Sequence, residues 1–324
     1  MQAVNSLLER LEARDIRALA RAISLVEDGE EGASELLAAL SPRLSGSRII
    51  GITGPPGSGK STLTSKLARE FLDRGERVGL LLIDPSSPFT GGAILGDRIR
   101  MQELSGRDGI YIRSLGSRGS VGGLSQATAR VLRLLEHFGF SVIIIETVGT
   151  GQAETDVMET VDSVVVVAVP GLGDDIQAMK AGIMEIADVF VVNKADKDGA
   201  DRTLRQIEVT LQMQEGKDDY KVPVLPTVAT SGQGVAELVI ALDAHYASLA
   251  ESGELQRRRE RRVRKELMGY VTSVLMSDFV SRSQAEVDAK LADIINGRTD
   301  VYTVGRILSQ KYINERVERD AKED

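Results

Sequence analysis

Apolar residues recur along this chain in two rhythms, and the changes between them divide it. Over residues 5–28, Leu8, Leu11, Leu19, Ile23 and Val26 fall at helix-like spacing among many charges. Leu36, Leu37 and Leu40 predict a second short helix that ends before Pro42. From about 47 to 250 the pattern alternates. Continuous apolar runs predict strands at 48–53, 77–83, 140–145, 163–169, 188–192 and 222–228, with a further one at 110–115. Amphipathic helical stretches lie between most of them, as at 61–73, 124–138 and 201–214. The runs Val142-Ile143-Ile144-Ile145 and Val164-Val165-Val166-Val167 are apolar on both faces. Such strands belong inside a mostly parallel sheet covered by helices on both sides. Ligands of such sheets sit beyond the C-terminal ends of the strands, so the polar residues there carry the chemistry.

From about 251 the rhythm changes again. Gln256 to Glu266 reads QRRRERRVRKE, and a solvated charged helix is preferred to a nucleic-acid patch. Residues 267–295 then carry Leu267, Val271, Leu275, Phe279, Val287, Leu291 and Ile295 at mixed helical spacings, and 303–313 predict one more helix. An apolar stripe on such an appendage must be buried on the main domain or on a partner. The expected architecture is an α/β fold with a helical extension over 1–46, a nucleotide-binding domain over 47–250 and a C-terminal helical arm over 251–324. No internal repeat or low-complexity tract interrupts it.

Residues 54–61 read GPPGSGKS directly after the first strand, the G-x-x-x-x-G-K-[ST] phosphate-binding loop in its strand–loop–helix setting. Gly54, Gly57 and Gly59 are expected to let backbone N–H groups turn inward around phosphate oxygens, which a Cβ would obstruct. Pro55, Pro56 and Ser58 complete the loop. Lys60 is expected at the β- and γ-phosphates and the Ser61 hydroxyl at Mg²⁺, with Thr62 following. The helix that opens near Lys60 points its positive end at the anion.

Asn193-Lys194-Ala195-Asp196 follows the strand ending at Val192 and reads N-K-x-D. A carboxylate at Asp196 can accept hydrogen bonds from the guanine N1–H and exocyclic amino group. Adenine offers neither arrangement, so a buried acceptor would be left unpaired and adenine rejected. Lys194 is expected along the base plane. Ala229-Thr230-Ser231-Gly232 and Gln233 follow the last strand, where backbone N–H groups can reach the guanine O6. The expected ligand is therefore GTP or GDP.

Glu146-Thr147-Val148-Gly149 follows the strand at 142–145. Glu146 can hold Mg²⁺ directly or through water, and Gly149 can bring its N–H to the γ-phosphate. Most P-loop enzymes place Asp at this point; the extra methylene favours a water-mediated contact or a shifted metal. Asp84 closes the strand at 78–83, and Asp97 follows a glycine-rich stretch. Both are candidates for the metal shell or for orienting the attacking water. Mg²⁺ takes few protein ligands, so not all three carboxylates can be direct ones.

Bulk properties narrow the classes. The 324 residues are 42% hydrophobic and 27% charged, enough for one large α/β domain with accessory elements. A formal net charge of −8 argues against a general nucleic-acid surface. With no cysteine, disulfides, thiolate metal sites and a Cys nucleophile are excluded. No signal-peptide pattern opens the chain, and no apolar run reaches the roughly 18 residues that span a bilayer. A cytoplasmic protein without membrane or nucleic-acid partners is expected. Aromatics are 4%, so the core must be aliphatic.

The runs DPSSPFTGGAILGDRIRM (84–101), SRGSVGGLS (117–125), ETVGTGQAE (146–154), VPGLGDDIQAMKAGIMEIAD (169–188) and NKAD together resemble the MeaB/ArgK-type GTPases, over essentially the whole chain. The resemblance implies a chaperone of adenosylcobalamin-dependent acyl-CoA mutases, above all methylmalonyl-CoA mutase, in which GTP hydrolysis gates cofactor delivery and guards the mutase against inactivation. A cobalamin adenosyltransferase is a further implied partner. It implies a homodimer built through the C-terminal arm and a nucleotide-sensing loop over 169–180, whose lysine is Lys180. Lys60, Asp84, Asp97 and Glu146 match the family's nucleotide-site charges. Thr150 and Ala153 are small departures from its motifs. No DxHxxG-type cobalamin motif is present, so no tightly bound cobalamin is expected on this chain.

Ras-like enzymes place a water-orienting Gln directly after the switch glycine. Here Thr150 holds that place and the nearest glutamine is Gln152, so slow intrinsic hydrolysis is expected, accelerated when a partner orders the loops. Lys180, Arg98 and Arg100 are candidates for an added cation at the γ-phosphate. A kinase acting on an amino-acid transport protein is the competing reading, but no acceptor site is marked. A nickel-insertion GTPase would need His or Cys ligands, and only His137 and His245 are present.

Overall fold

The computed structural model describes residues 2–40, 46–84, 104, 106–116, 123–147, 158–171, 183–214 and 221–323. Asp97, Gly149 and Lys180, with Arg98, Arg100, Thr150 and Gln152, lie outside the described residues.

Among the described residues seven strands form one sheet: β1 (Arg48–Thr53), β2 (Val78–Asp84), β3 (Ile110–Gly116), β4 (Val142–Thr147), β5 (Ser163–Ala168), β6 (Val189–Asn193) and β7 (Val224–Thr227). Their order is β3-β2-β4-β1-β5-β6-β7, and every pairing is parallel. The expected mostly parallel sheet is thus wholly parallel. Parallel neighbours need crossovers. Helices α4 (Lys60–Asp73), α5 (Gly123–Phe138), α6 (Ile183–Ile186) and α7 (Ala200–Gln214) lie between successive strands, while α1 (Gln2–Glu12), α2 (Ile16–Asp28) and α3 (Ala33–Ala39) precede β1 and α8 (Val235–Glu251) follows β7.

Side-chain alternation sorts the sheet into two apolar layers. Ile49, Ile143, Ile145, Val166, Phe190 and Val192 pack with residues of α1, α2, α3, α5 and α7. Ile50, Ile52, Ile144, Val165, Val167 and Val191 pack with Leu63, Leu67 and Phe71 of α4 and Leu238, Val239 and Leu242 of α8. The expected helix over 5–28 is two helices. Arg14 adopts φ +62 between them, and Asp15 caps α2 by accepting from the Arg17 and Ala18 amides. Leu11, Leu19, Ile23 and Leu36 of this extension are fully buried in the first layer.

The chain divides into two compact units, 1–266 and 267–324. Helix α9 (Glu254–Ile295), 42 residues long, runs from the first unit into the second, so the predicted stretch at 267–295 is the later part of a longer helix. Its QRRRERRVRKE segment corrects the solvated reading. Arg262 is buried, and Arg258 and Arg259 are partly so, all within the first unit. Helix α10 (Val301–Glu323) packs against α9 within the second unit, where Tyr312 donates to Asp278 at 2.8 Å and meets Phe279 edge-on. No helix of the described residues is long and apolar enough to cross a membrane.

Candidate functional site: a nucleotide site along the strand ends

Because the strands are parallel, their C-terminal ends share one edge. Along that edge stand Asp84 (β2), Glu146 (β4), the phosphate loop (β1), Val169 (β5), Asn193 (β6) and Val228 (β7). From β4 to β7 is four strand spacings, about 19 Å. The residues expected at the phosphates occupy one end of this row and those expected at the base the other.

The loop leaves β1 through Gly54 at φ +144 and enters α4 through Gly59 at φ +86. A Cβ on Gly54 would strike the Val167 carbonyl of β5, and one on Gly59 would strike the Asn193 amide of β6. At these two positions the requirement for glycine comes from the neighbouring strands as well as from a ligand. Gly57, at φ +77 with open space around it, needs glycine for backbone conformation alone. Lys60 is buried, and its ammonium donates to the carbonyls of Gly54 at 2.7 Å and Pro55 at 3.0 Å. The chain curls around its own lysine, placing a fixed positive charge inside the loop. Ser58 is fully buried, while Pro56 and Gly57 are exposed at the rim and Thr62 is half-buried on α4.

Ser61 Oγ donates to Glu146 Oε1 at 2.6 Å, and Glu146 is buried. Two of the residues expected at Mg²⁺ are thus brought together across α4 and β4. Two hard oxygen donors at hydrogen-bond separation fit Mg²⁺, which keeps several waters and takes few protein ligands. Among the described residues no group of three or more His, Cys, Asp or Glu is placed to hold a metal ion; beside Ser61 and Glu146, phosphate oxygens and water are the donors that would complete the shell. Asp84 ends β2 beside β4, on the same edge.

At the base end, Asn193 is fully engaged. Its Nδ2 donates to the Ser58 carbonyl at 2.8 Å, and its Oδ1 accepts from the Ala229 amide at 3.0 Å and Thr227 Oγ1 at 3.2 Å. One buried side chain thus ties the phosphate loop, β6 and the turn after β7 together. Lys194 adopts φ +58 and reaches back to the Gly57 carbonyl at 2.8 Å, which lays its stem between the two motifs. Asp196 is exposed and makes no hydrogen bond or ion pair among the described residues, as suits a carboxylate that reads a ligand. The turn closes through the Val228 amide donating to the Gln233 carbonyl at 3.0 Å. Within it, the amides of Ser231 and Gly232 donate to the Val228 carbonyl.

A family model described as methylmalonyl Co-A mutase-associated GTPase MeaB matches residues 19–284. The chain belongs to the MeaB family of GTPases. A relative from Pyrococcus horikoshii is 44% identical over 97% of this chain and 99% of its own. The GTPase ArgK of Escherichia coli is 36% identical over 78% of this chain and 79% of its own. A solved structure named LAO/AO transport system kinase superposes with TM-score 0.72 at 26% identity, covering 96% of this chain and 97% of that one. As a MeaB-family P-loop GTPase, the chain binds GTP and GDP and hydrolyses GTP.

The opposite, N-terminal edge of the strands holds a charged network that the sequence reading missed. Asp188, just before β6, receives both terminal nitrogens of Arg258 at 2.8 Å, accepts from the Val164 amide at 2.8 Å and faces His245 Nε2 at 3.2 Å. His245 Nδ1 meets Ser163 Oγ at 2.8 Å. Asp162, before β5, accepts from the Ile49 amide at 3.0 Å and faces Arg262 at 3.6 Å and Arg259 at 3.8 Å. Arg262 also faces Glu136 at 3.5 Å. Burial pushes the Asp188 pKa up, but hydrogen bonds from His245 and Arg258 outweigh it and hold the group below the usual range. Burial dominates at Asp162 and Glu136 and raises both, against Arg262. Helix α9 is rooted by these arginines to β5 and β6, the strands that carry Val169 and the N-K-x-D motif at their other ends. The one available signal was arginine at 258 and 262, a helical i, i+4 pair.

Proposed function

We propose that this GTPase serves an adenosylcobalamin-dependent acyl-CoA mutase, gating cofactor loading and protecting the mutase from inactivation. Family membership over residues 19–284 carries the reading, since that family is described by its association with methylmalonyl-CoA mutase. A Caenorhabditis elegans relative named methylmalonic aciduria type A homolog, mitochondrial, is 37% identical over 71% of this chain and supports it. Nucleotide state is the signal. Lys60, Ser61 and the loop amides bind the phosphates, Ser61 and Glu146 hold Mg²⁺, and Asp196 selects guanine. Asp84, Asp97, Gly149 and Lys180 are proposed to complete the phosphate end, and Ser231, Gly232 and Gln233 the base end.

Intrinsic turnover is proposed to be slow, because phosphoryl transfer depends on positioning and charge neutralisation and no glutamine follows the switch glycine. A partner that orders Lys180 at the γ-phosphate would supply the added cation. The unit over 267–324 exposes Leu267, Val271 and Leu275 at helical spacing, with Val274, Leu291 and Ile295. These support residues 251–324 as a homodimerisation arm on a GTPase domain of 47–250, with 1–46 as its helical extension.

Gel filtration of the full chain with a purified mutase apoenzyme tests the proposal. Co-elution that differs between a GTP analogue and GDP is expected. No complex with either nucleotide, at micromolar concentrations of both proteins, contradicts it.

A further inference from the structure

Two buried threonines stand beside Ser61 and Glu146, their hydroxyls without a partner among the described residues. Thr53 ends β1 and Thr147 ends β4, each 1% exposed, and neither hydroxyl makes a hydrogen bond among the described residues. The β1–β4 ladder pairs Ile52 with Glu146, so the next rung sets Thr53 beside Thr147. Alternation turns both side chains toward the layer of Ile49, Ile143 and Ile145, away from α4. Their other ladder neighbours, Val166 and Ile83, are apolar.

An unpaired buried hydroxyl is destabilising, and valine would fill the same space without that penalty. Adjacent strands lie about 4.8 Å apart. A water making two hydrogen bonds of about 2.8 Å spans roughly 4.5 Å, close to that separation. Buried waters typically make about three hydrogen bonds. A third group stands on α5: Gln126 is 8% exposed, with its amide nitrogen unpartnered. At 1.5 Å per residue, α5 spans about 18 Å from Phe138 back to Gln126. From Val142 to Thr147, β4 spans about 17 Å. Since α5 leads back to the start of β4, its early residue Gln126 falls toward the C-terminal edge of the same layer.

We propose that Thr53 and Thr147 share one buried water that staples the end of β1 to the end of β4. Thr53 precedes the phosphate loop and Thr147 follows Glu146. The staple fixes the distance between the loop and the carboxylate of Glu146 from the face opposite α4. Both threonines are positioning residues; neither touches substrate.

The test compares Thr53→Val, Thr147→Val and the double variant in the full chain. Shared water predicts that each single change lowers the melting temperature and that the double falls no further than the worse single, because either change removes the site. It also predicts a several-fold fall in kcat with KM for GTP unchanged, and recovery of both properties in Thr147→Ser. A crystal structure of the parent with a GTP analogue should show density between the two hydroxyls. Val changes that raise the melting temperature overturn the shared site, as do losses that add in the double variant. Unchanged kcat in both singles overturns the positioning role.

Discussion

Asn193 Nδ2 donates to the Ser58 carbonyl at 2.8 Å, joining the base-reading strand end to the phosphate loop. The two halves of the nucleotide site are therefore one hydrogen-bonded piece. Asn193→Ala would leave the Ser58 carbonyl and the Ala229 amide without their partner, at about 1–3 kcal/mol for each buried group. The expected outcome is a lower melting temperature together with GDP binding weakened by about tenfold or more, read by calorimetry.

Guanine selectivity is proposed to rest on Asp196. Asp196→Asn replaces an acceptor with a group that also donates, which suits a purine bearing a carbonyl at C2. GTP binding is expected to weaken by about a hundredfold or more, and xanthosine triphosphate to compete better than GTP. Competition against a fluorescent GDP checks both. Retained GTP preference in the variant would move base recognition elsewhere.

Ser61→Ala removes one of two oxygens that meet at 2.6 Å across α4 and β4. Turnover is expected to fall about tenfold or more, with a higher Mg²⁺ concentration needed for half-maximal rate. GDP affinity measured in EDTA should stay near that of the parent, since the loop amides and Lys60 remain.

The network at the far edge gives opposite pH signatures. Asp188 has a lowered pKa, so its contribution to stability is present above the unfolded carboxylate value, about 3.9, and is lost as pH falls through the folded value. Asp162 has a raised pKa, so stability declines as pH rises from the unfolded value to the folded one. Asp188→Asn should therefore cost most at pH 7 and progressively less in acid. Asp162→Asn should compare more favourably with the parent at pH 7 than at pH 4. Arg258→Ala is expected to cost about 3 kcal/mol, by stripping the bidentate partner from a buried carboxylate. Urea melts at the two pH values measure all three.

Most of the sheet was legible in the sequence because its inner strands are apolar on both faces, so runs such as Val164 to Val167 need no alternation to be recognised. The phosphate loop and N-K-x-D were legible because their chemistry fixes residue type at fixed spacing. The tie between them was not: an Asn that orders two distant loops looks the same in sequence as one that contacts a base. The arginines of 256–266 misled for a related reason. A charge run signals solvent unless its partners are known, and Asp162, Asp188 and Glu136 lie far away in sequence at the starts of strands and the end of a helix. The break at Arg14 and Asp15 was hidden by apolar spacing that two helices sharing one face keep nearly in phase.

The proposed partnership of this MeaB-family GTPase with an adenosylcobalamin-dependent mutase is read from GTP turnover with and without the mutase. Under saturating GTP and Mg²⁺, the rate should rise about tenfold or more as mutase is titrated, with a much smaller rise for Lys180→Ala. Equal turnover with and without saturating mutase would contradict it.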